Sequence, residues 1–167
     1  NLQTSKEAVA IAEKYPEDIW ATVGIHPTEI ENWKLKIENL RMLAEHPKVV
    51  AVGECGLDYY RFKNVKEEQK KVFLAQAQIA SDLQKPLMIH CRPSKNSDDA
   101  YLDLIKIITN WELRINSIIH FFVGSLETAK KLLSLGCCFT FGGVTTFIRD
   151  YDEVIKYLPL ENILLET

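Results

Sequence analysis

Three of the four histidines in this 167-residue chain close short apolar runs. His26 follows Ile19-Trp20-Ala21-Thr22-Val23-Gly24-Ile25, His90 follows Pro86-Leu87-Met88-Ile89, and His120 follows Ile115 to Ile119. A fourth run, Val49-Val50-Ala51-Val52, leads through Gly53 to Glu54 and on to Asp58 and Arg61. Val49 to Val52 reads as a strand buried on both faces, with Glu54 where it emerges. Burying a carboxylate costs several kcal/mol unless a cation pairs it, so Glu54 calls for a metal ion or a basic side chain. Carboxylate and imidazole donors together suit Mg, Mn or Zn without choosing among them.

Such residues meet only if the elements between them bring the strand ends to one place. Helical periodicity alternates with the apolar runs: a capping box at Thr4-Ser5-Lys6-Glu7, then helices around Leu35 to Ala44, Lys66 to Leu83, Tyr101 to Ile108, Ala129 to Leu133 and Tyr151 to Leu158. Further strands are expected at Cys137 to Phe141 and before Glu166. The spacing gives six strands alternating with six helices in one α/β domain over 1–167. A doubly wound sheet gathers its function at a switch point, whereas here nearly every strand ends in a reactive residue. A (β/α) TIM-type barrel, incomplete with about six β/α units, explains that better, because its strand ends converge at the carboxyl face. The first helix has no strand before it and the last strand ends the chain, so a first strand and a C-terminal part are expected outside these residues.

The composition bounds the partners. A net charge of -3 and a pI near 5.8 argue against coating nucleic acid through a broad basic surface, and leave room for a local phosphate site. No apolar run approaches the ~20 residues of a membrane span, and nothing at the amino end reads as a signal peptide. The expectation is a cytoplasmic monomer without a membrane partner. Cys55, Cys91, Cys137 and Cys138 lack metal-site spacing and read as buried reduced thiols, Cys91 being the least secure because it lies between His90 and Arg92.

Taken together, six segments carry a family resemblance: Gly24-Ile25-His26-Pro27, Gly53-Glu54-Cys55-Gly56-Leu57-Asp58-Tyr59, Ile89-His90-Cys91-Arg92, His120-Phe121-Phe122-Val123-Gly124-Ser125, Phe139-Thr140-Phe141-Gly142-Gly143 and Leu164-Leu165-Glu166-Thr167. From about Val23 to Thr167 the chain resembles the TatD-type metal-dependent deoxyribonucleases of the amidohydrolase-like superfamily. The resemblance implies two divalent metal ions, with Glu54 touching both and His90 and His120 binding the second. It makes His26 an active-site residue near the phosphate rather than a metal ligand. The family's first metal site also uses a His-x-His pair and an aspartate that would fall before Asn1 and after Thr167, so the chain as written is expected to bind that ion poorly. Arg92-Pro93-Ser94-Lys95 departs from the family's more acidic or small residues at this loop, which bears on its substrate contacts.

The implied function is hydrolysis of nucleic-acid phosphodiesters, as a deoxyribonuclease working 3'-5' on single-stranded DNA or ends. Glu54, His26 and Asp58 are the expected catalytic residues, although Asp58 could equally orient a ligand or cap its loop, and His26 could simply bond its own loop. Arg61, Arg92 and Lys95 are expected to hold flanking phosphates, and Tyr59, with Tyr60 and Phe122, to meet an unpaired base. Two alternatives fit the same residues: an esterase that removes amino acids from misacylated tRNA with the same ligands, and a non-catalytic nucleic-acid-binding remnant.

Overall fold

The computed structural model describes residues 1–110 and 116–166, so Ile115 and Thr167 lie outside the described residues. Strands β1 (Ala21–Val23), β2 (Val49–Asp58), β3 (Leu87–Arg92), β4 (Ser117–His120), β5 (Cys138–Phe141) and β6 (Ile163–Leu165) form one sheet in which each strand pairs with the next in sequence order, all parallel. Among the described strands the order never reverses, so they form no switch point. This is the arc of a (β/α) barrel, as the spacing of reactive residues predicts. Helices α1 (Leu2–Lys14), α2 (Trp33–Ala44), α3 (Lys66–Asp82), α4 (Asp99–Asn110), α5 (Leu126–Ser134) and α6 (Asp152–Tyr157) alternate with the strands. Val52, Leu57, Phe73, Leu87, Ile89 and Ile119 anchor the buried core between them.

Two local readings are corrected. The cap of α1 lies three residues before the expected one: Asn1 Oδ1 accepts from the amides of Gln3 and Thr4, while Ser5 is buried and its hydroxyl accepts from Gly24 N at 3.2 Å. Strand β2 does not end before Glu54 but runs on to Asp58, because its pairing with β3 continues to Asp58 opposite Arg92. Nor is it buried throughout, since Val50 is 42% exposed. The register explains both departures. Val50 is skipped between Val49 and Ala51 in the pairing with β1, and Glu54 is skipped between Gly53 and Cys55 in the pairing with β3.

The second bulge sets the chemistry. In an unbroken strand positions 52 and 54 would share a face, and Glu54 would join Val52 in the core. One extra residue lets Cys55 take that buried place and puts Glu54 with the face that carries His90. Gly56, opposite His90 at φ 140°, permits the close approach: a Cβ there would fall 2.1 Å from the His90 carbonyl oxygen. In β3 and β4 alternate residues are buried, and the direct pairing of His90 with His120 leaves both imidazoles on the half-buried face.

Candidate metal centre

At the carboxyl ends of these strands five side chains form an alternating chain of acids and imidazoles. Glu54 Oε1 lies 3.0 Å from His90 Nδ1 and 3.0 Å from His120 Nδ1. The far nitrogens meet further carboxylates: His90 Nε2 is 3.1 Å from Asp58 Oδ2, and His120 Nε2 is 3.4 Å from Glu166 Oε2. The sequence Asp58–His90–Glu54–His120–Glu166 thus joins three acids and two imidazoles, with both imidazoles meeting at one oxygen of Glu54. Burial alone would hinder ionisation of Glu54, but the hydrogen bonds from His120 and His90 outweigh it and hold its pKa well below the usual carboxylate range. The same bond from Glu54 raises the pKa of His120 against the opposing effect of burial.

Asp58 is completely buried. Its other oxygen accepts from Arg61 N at 2.8 Å, and its backbone N–H and C=O are paired by the side-chain amide of Gln69 at 2.8 and 3.1 Å. Of the places expected for Asp58, the geometry matches the one behind His90, where its carboxylate meets the far ring nitrogen, as carboxylates behind metal-binding histidines do. Gln76, two turns further along α3, grips Ile25 in the same way, accepting from its N–H at 2.7 Å and donating to its C=O at 3.0 Å. It thereby sets the residue before His26. A glutamine within an apolar helical stripe is the signal for such a clamp, because a buried amide needs partners.

His26 lies beside His90, ring centroids 4.5 Å apart, and His26, Glu54 and His90 each offer a ligand atom within 4.8 Å of the others. Its Nδ1 is 2.7 Å from Thr28 Oγ1 and accepts from Thr28 N at 3.3 Å. Burial and the neighbouring His90 lower its pKa, so the ring is neutral near pH 7, and an accepting Nδ1 leaves its proton on Nε2.

These groups line a cavity of about 460 Å³ that also takes in Arg61, Arg92 and Phe121. The structure thus brings together both arginines with His26, Glu54, His90 and His120. Arg92 lies with its guanidinium 4.2 Å from the centroid of the Tyr60 ring. Lys95 is exposed on the following turn and does not line the cavity. Tyr59 is corrected from substrate contact to packing: it is fully buried, its hydroxyl donates to Asp103 at 2.9 Å, and Lys66 sits over its ring. Phe122 is likewise in the core, against Tyr101 and Phe139. The thiols of Cys55, Cys91 and Cys137 are buried, with pKa values raised chiefly by desolvation, to about 12 for Cys137. Cys91 lines the cavity only as such a thiol, and Cys138 is half-buried.

Sequence reasoning missed Phe121 and did not assign Glu166 a place in the site. Phe121 has φ 49°, a left-handed conformation that is an outlier for a bulky side chain. Its amide lies 2.8 Å from Thr140 Oγ1 and 3.2 Å from Glu166 Oε2, and Thr140 Oγ1 donates a short hydrogen bond to the same carboxylate. Glu166 therefore links β4, β5 and β6. Its position in Leu164-Leu165-Glu166, one residue after a strand, was the available signal.

A parallel β/α arc with a histidine and carboxylate donor cluster at the carboxyl ends of its strands is the architecture of a barrel-type metallohydrolase. The chain belongs to the TatD-related DNase family, whose sequence model matches residues 1–167. The 3'-5' ssDNA/RNA exonuclease TatD of Salmonella typhimurium is 33% identical to it over 175 residues, and that of Edwardsiella piscicida 34%. Each match covers 100% of this chain, which spans 64% of those relatives' length. The crystal structure of YJJV, a TatD homologue from Escherichia coli, superposes with a TM-score of 0.88 at 31% identity, covering 99% of this chain and 63% of that one. A TatD-family hydrolase from Entamoeba histolytica gives 0.82 at 27% identity, covering 97% of this chain and 56% of that one. No described helix is long and apolar enough to cross a membrane.

Proposed function

We propose that these residues form the metal-binding face of a divalent-metal-dependent nuclease that shortens single-stranded nucleic acid from the 3' end. The observation that carries this reading is the convergence of His90 and His120 on one oxygen of Glu54, each backed by a further carboxylate. The donor set fits a divalent cation: one shared carboxylate oxygen and two imidazole nitrogens already turned toward it. Glu54, His90 and His120 would hold one ion, and Glu54 would share a second. Bound there, Mg, Mn or Zn would supply Lewis acidity toward a phosphoryl oxygen and a water more acidic than in bulk.

The chain's own residues account for the rest. Asp58 and Glu166 hold the far nitrogens of His90 and His120, so both rings keep their near nitrogens toward Glu54. His26, neutral with its proton on Nε2, donates to a non-bridging phosphate oxygen. Arg61 and Arg92 supply the cationic contacts for flanking phosphates, Arg92 stiffened by its stack on Tyr60. A narrow cationic cavity, rather than a broad basic surface, suits a strand end better than a duplex. The exonuclease names of the curated relatives support the same substrate class.

The test is a 5'-labelled single-stranded oligonucleotide incubated with the protein and Mg²⁺ or Mn²⁺. Stepwise shortening from the 3' end, stopped by chelator and absent in Glu54→Gln, is the expected result. An intact oligonucleotide, with free amino acid released instead from aminoacyl-tRNA, would replace the nuclease reading with an esterase at the same donors. Binding that ignores both metal and Glu54→Gln, without turnover, would leave a binding protein.

A further inference from the structure

The two adjacent aromatics after His120 have opposite fates. Phe122 is 1% exposed and packed in the core, whereas Phe121 is 40% exposed in the cavity beside the metal donors. An apolar ring left among imidazoles, acids and guanidinium groups is not explained by core packing. Nor is it a loose side chain. Its backbone is held at φ 49° by hydrogen bonds to Thr140 Oγ1 and Glu166 Oε2, and one edge of the ring lies against bare backbone at Gly142, where a Cβ would fall 2.2 Å away. A left-handed phenylalanine persists only where its surroundings enforce it, and such positions gather at ligand sites.

We propose that Phe121 is the platform on which one nucleobase of an unpaired strand stacks, a specificity-determining contact beside the metal centre. The proposal rests on the nuclease reading. A flat, fixed, uncharged ring takes the face of any base, because every base has a π-face. The cavity supplies the complementary contacts, since Arg61 and Arg92 line it as well and carry the charge that a neighbouring phosphate needs. Its volume of about 460 Å³ suits a single nucleotide rather than a paired duplex end. Phe121 thus takes the part that the sequence assigns to Tyr59, Tyr60 and Phe122: Tyr59 and Phe122 are locked in the core, and Tyr60, though exposed, has its ring under the Arg92 guanidinium.

The test compares two single-stranded oligonucleotides of one sequence, with the 3'-terminal nucleotide either intact or abasic, by KM and kcat with Mg²⁺ and by binding anisotropy. In the parent, loss of the base is expected to raise KM and weaken binding by about tenfold. In Phe121→Asn, which removes the ring while tolerating left-handed backbone, the intact oligonucleotide should fall to the abasic level with kcat within about twofold. Phe121→Leu, apolar but not flat, should do the same, which separates stacking from folding. Phe121→Trp should keep the preference, and Mn²⁺ affinity should stay at the parent's value in all three.

The proposal is overturned if the parent cleaves both oligonucleotides without preference, or if Phe121→Asn and Phe121→Leu keep the preference. In either case the nuclease reading stands. If the parent cleaves neither but binds the intact strand more tightly, and the variants lose that difference, the platform stands and the nuclease reading fails. If it binds neither, both fail.

Discussion

On the β1–β3 side of the cavity His26 and His90 rest on completely buried polar support, whereas on the β4–β6 side His120 rests on Glu166, whose side chain keeps 13% of its exposure. His26 follows a residue clamped by Gln76, and His90 leans on Asp58, itself clamped by Gln69; all three supports are completely buried. Across the cavity, His120 leans on Glu166 at 3.4 Å and Phe121 hangs from Thr140, and Leu165, the last residue of β6, is fully exposed. Low-dielectric surroundings stiffen a satisfied polar network, and solvent loosens one. The first wall is therefore the more deeply supported of the two.

The contrast is broken most severely by exchanging the two backing carboxylates. Asp58→Asn is expected to weaken Mn²⁺ binding by about 10–100-fold, the usual cost of losing a group that orients a metal-binding histidine. Glu166→Gln should cost less than about tenfold, since its contact is longer and closer to solvent. Equal losses in a calorimetric titration would erase the difference between the walls.

The next effect is on folding. Gln76→Leu leaves the N–H and C=O of Ile25 buried without partners and should cost about 3 kcal/mol in urea unfolding. Thr140→Val removes one of the two acceptors at the Phe121 amide and should cost about 1 kcal/mol. A Gln76→Leu protein as stable as the parent would show that the clamp is not a support.

Between the walls, Glu54 and His120 predict a pH signature without metal. His120, its pKa raised by Glu54, stabilises the fold fully below the ordinary imidazole value of 6.5, and the contribution is lost as pH rises through its folded value. Glu54, its pKa lowered, stabilises above the ordinary 4.5, and that contribution fades as pH falls. Thermal melts in chelator should therefore favour this pair between those values. Melts in Mn²⁺ should gain stability toward pH 8, because the cation displaces a proton. A melting profile in chelator that keeps rising above pH 7 would contradict the pairing.

The smallest effect lies outside both walls. Lys66 and Ser94 outweigh burial to hold Asp99 at about 2, so the tie from α3 to α4 should weaken only as pH falls from about 4 toward 2. Asp99→Asn should flatten that part of an acid titration and leave the metal-dependent part untouched.

The barrel-type order and the gathering of His26, Glu54, His90 and His120 were legible because strand-end histidines are a one-dimensional pattern. Helix boundaries were close for the same reason, since periodicity and proline mark them. What escaped depends on register. Glu54 reaches the His90 face only through a one-residue bulge, which residue types do not announce. Asp58 read equally as a catalytic acid, an orienting group or a loop cap, because nothing in Gly56-Leu57-Asp58 says that the strand continues and buries it. Tyr59 and Phe122 looked available and Phe121 did not, because which member of an aromatic pair faces inward is decided by a left-handed turn at Phe121. Gln69 and Gln76 were hidden within the apolar stripe of α3.

The most direct measurement is a calorimetric titration of Mn²⁺ into the parent and Glu54→Gln, each in two buffers of different ionisation enthalpy. The parent is expected to bind Mn²⁺ with release of protons, and Glu54→Gln to lose both the binding and the release. Equal affinity and equal proton release in the two proteins would contradict that expectation, because His90 and His120 would then be converging on an oxygen the metal does not need.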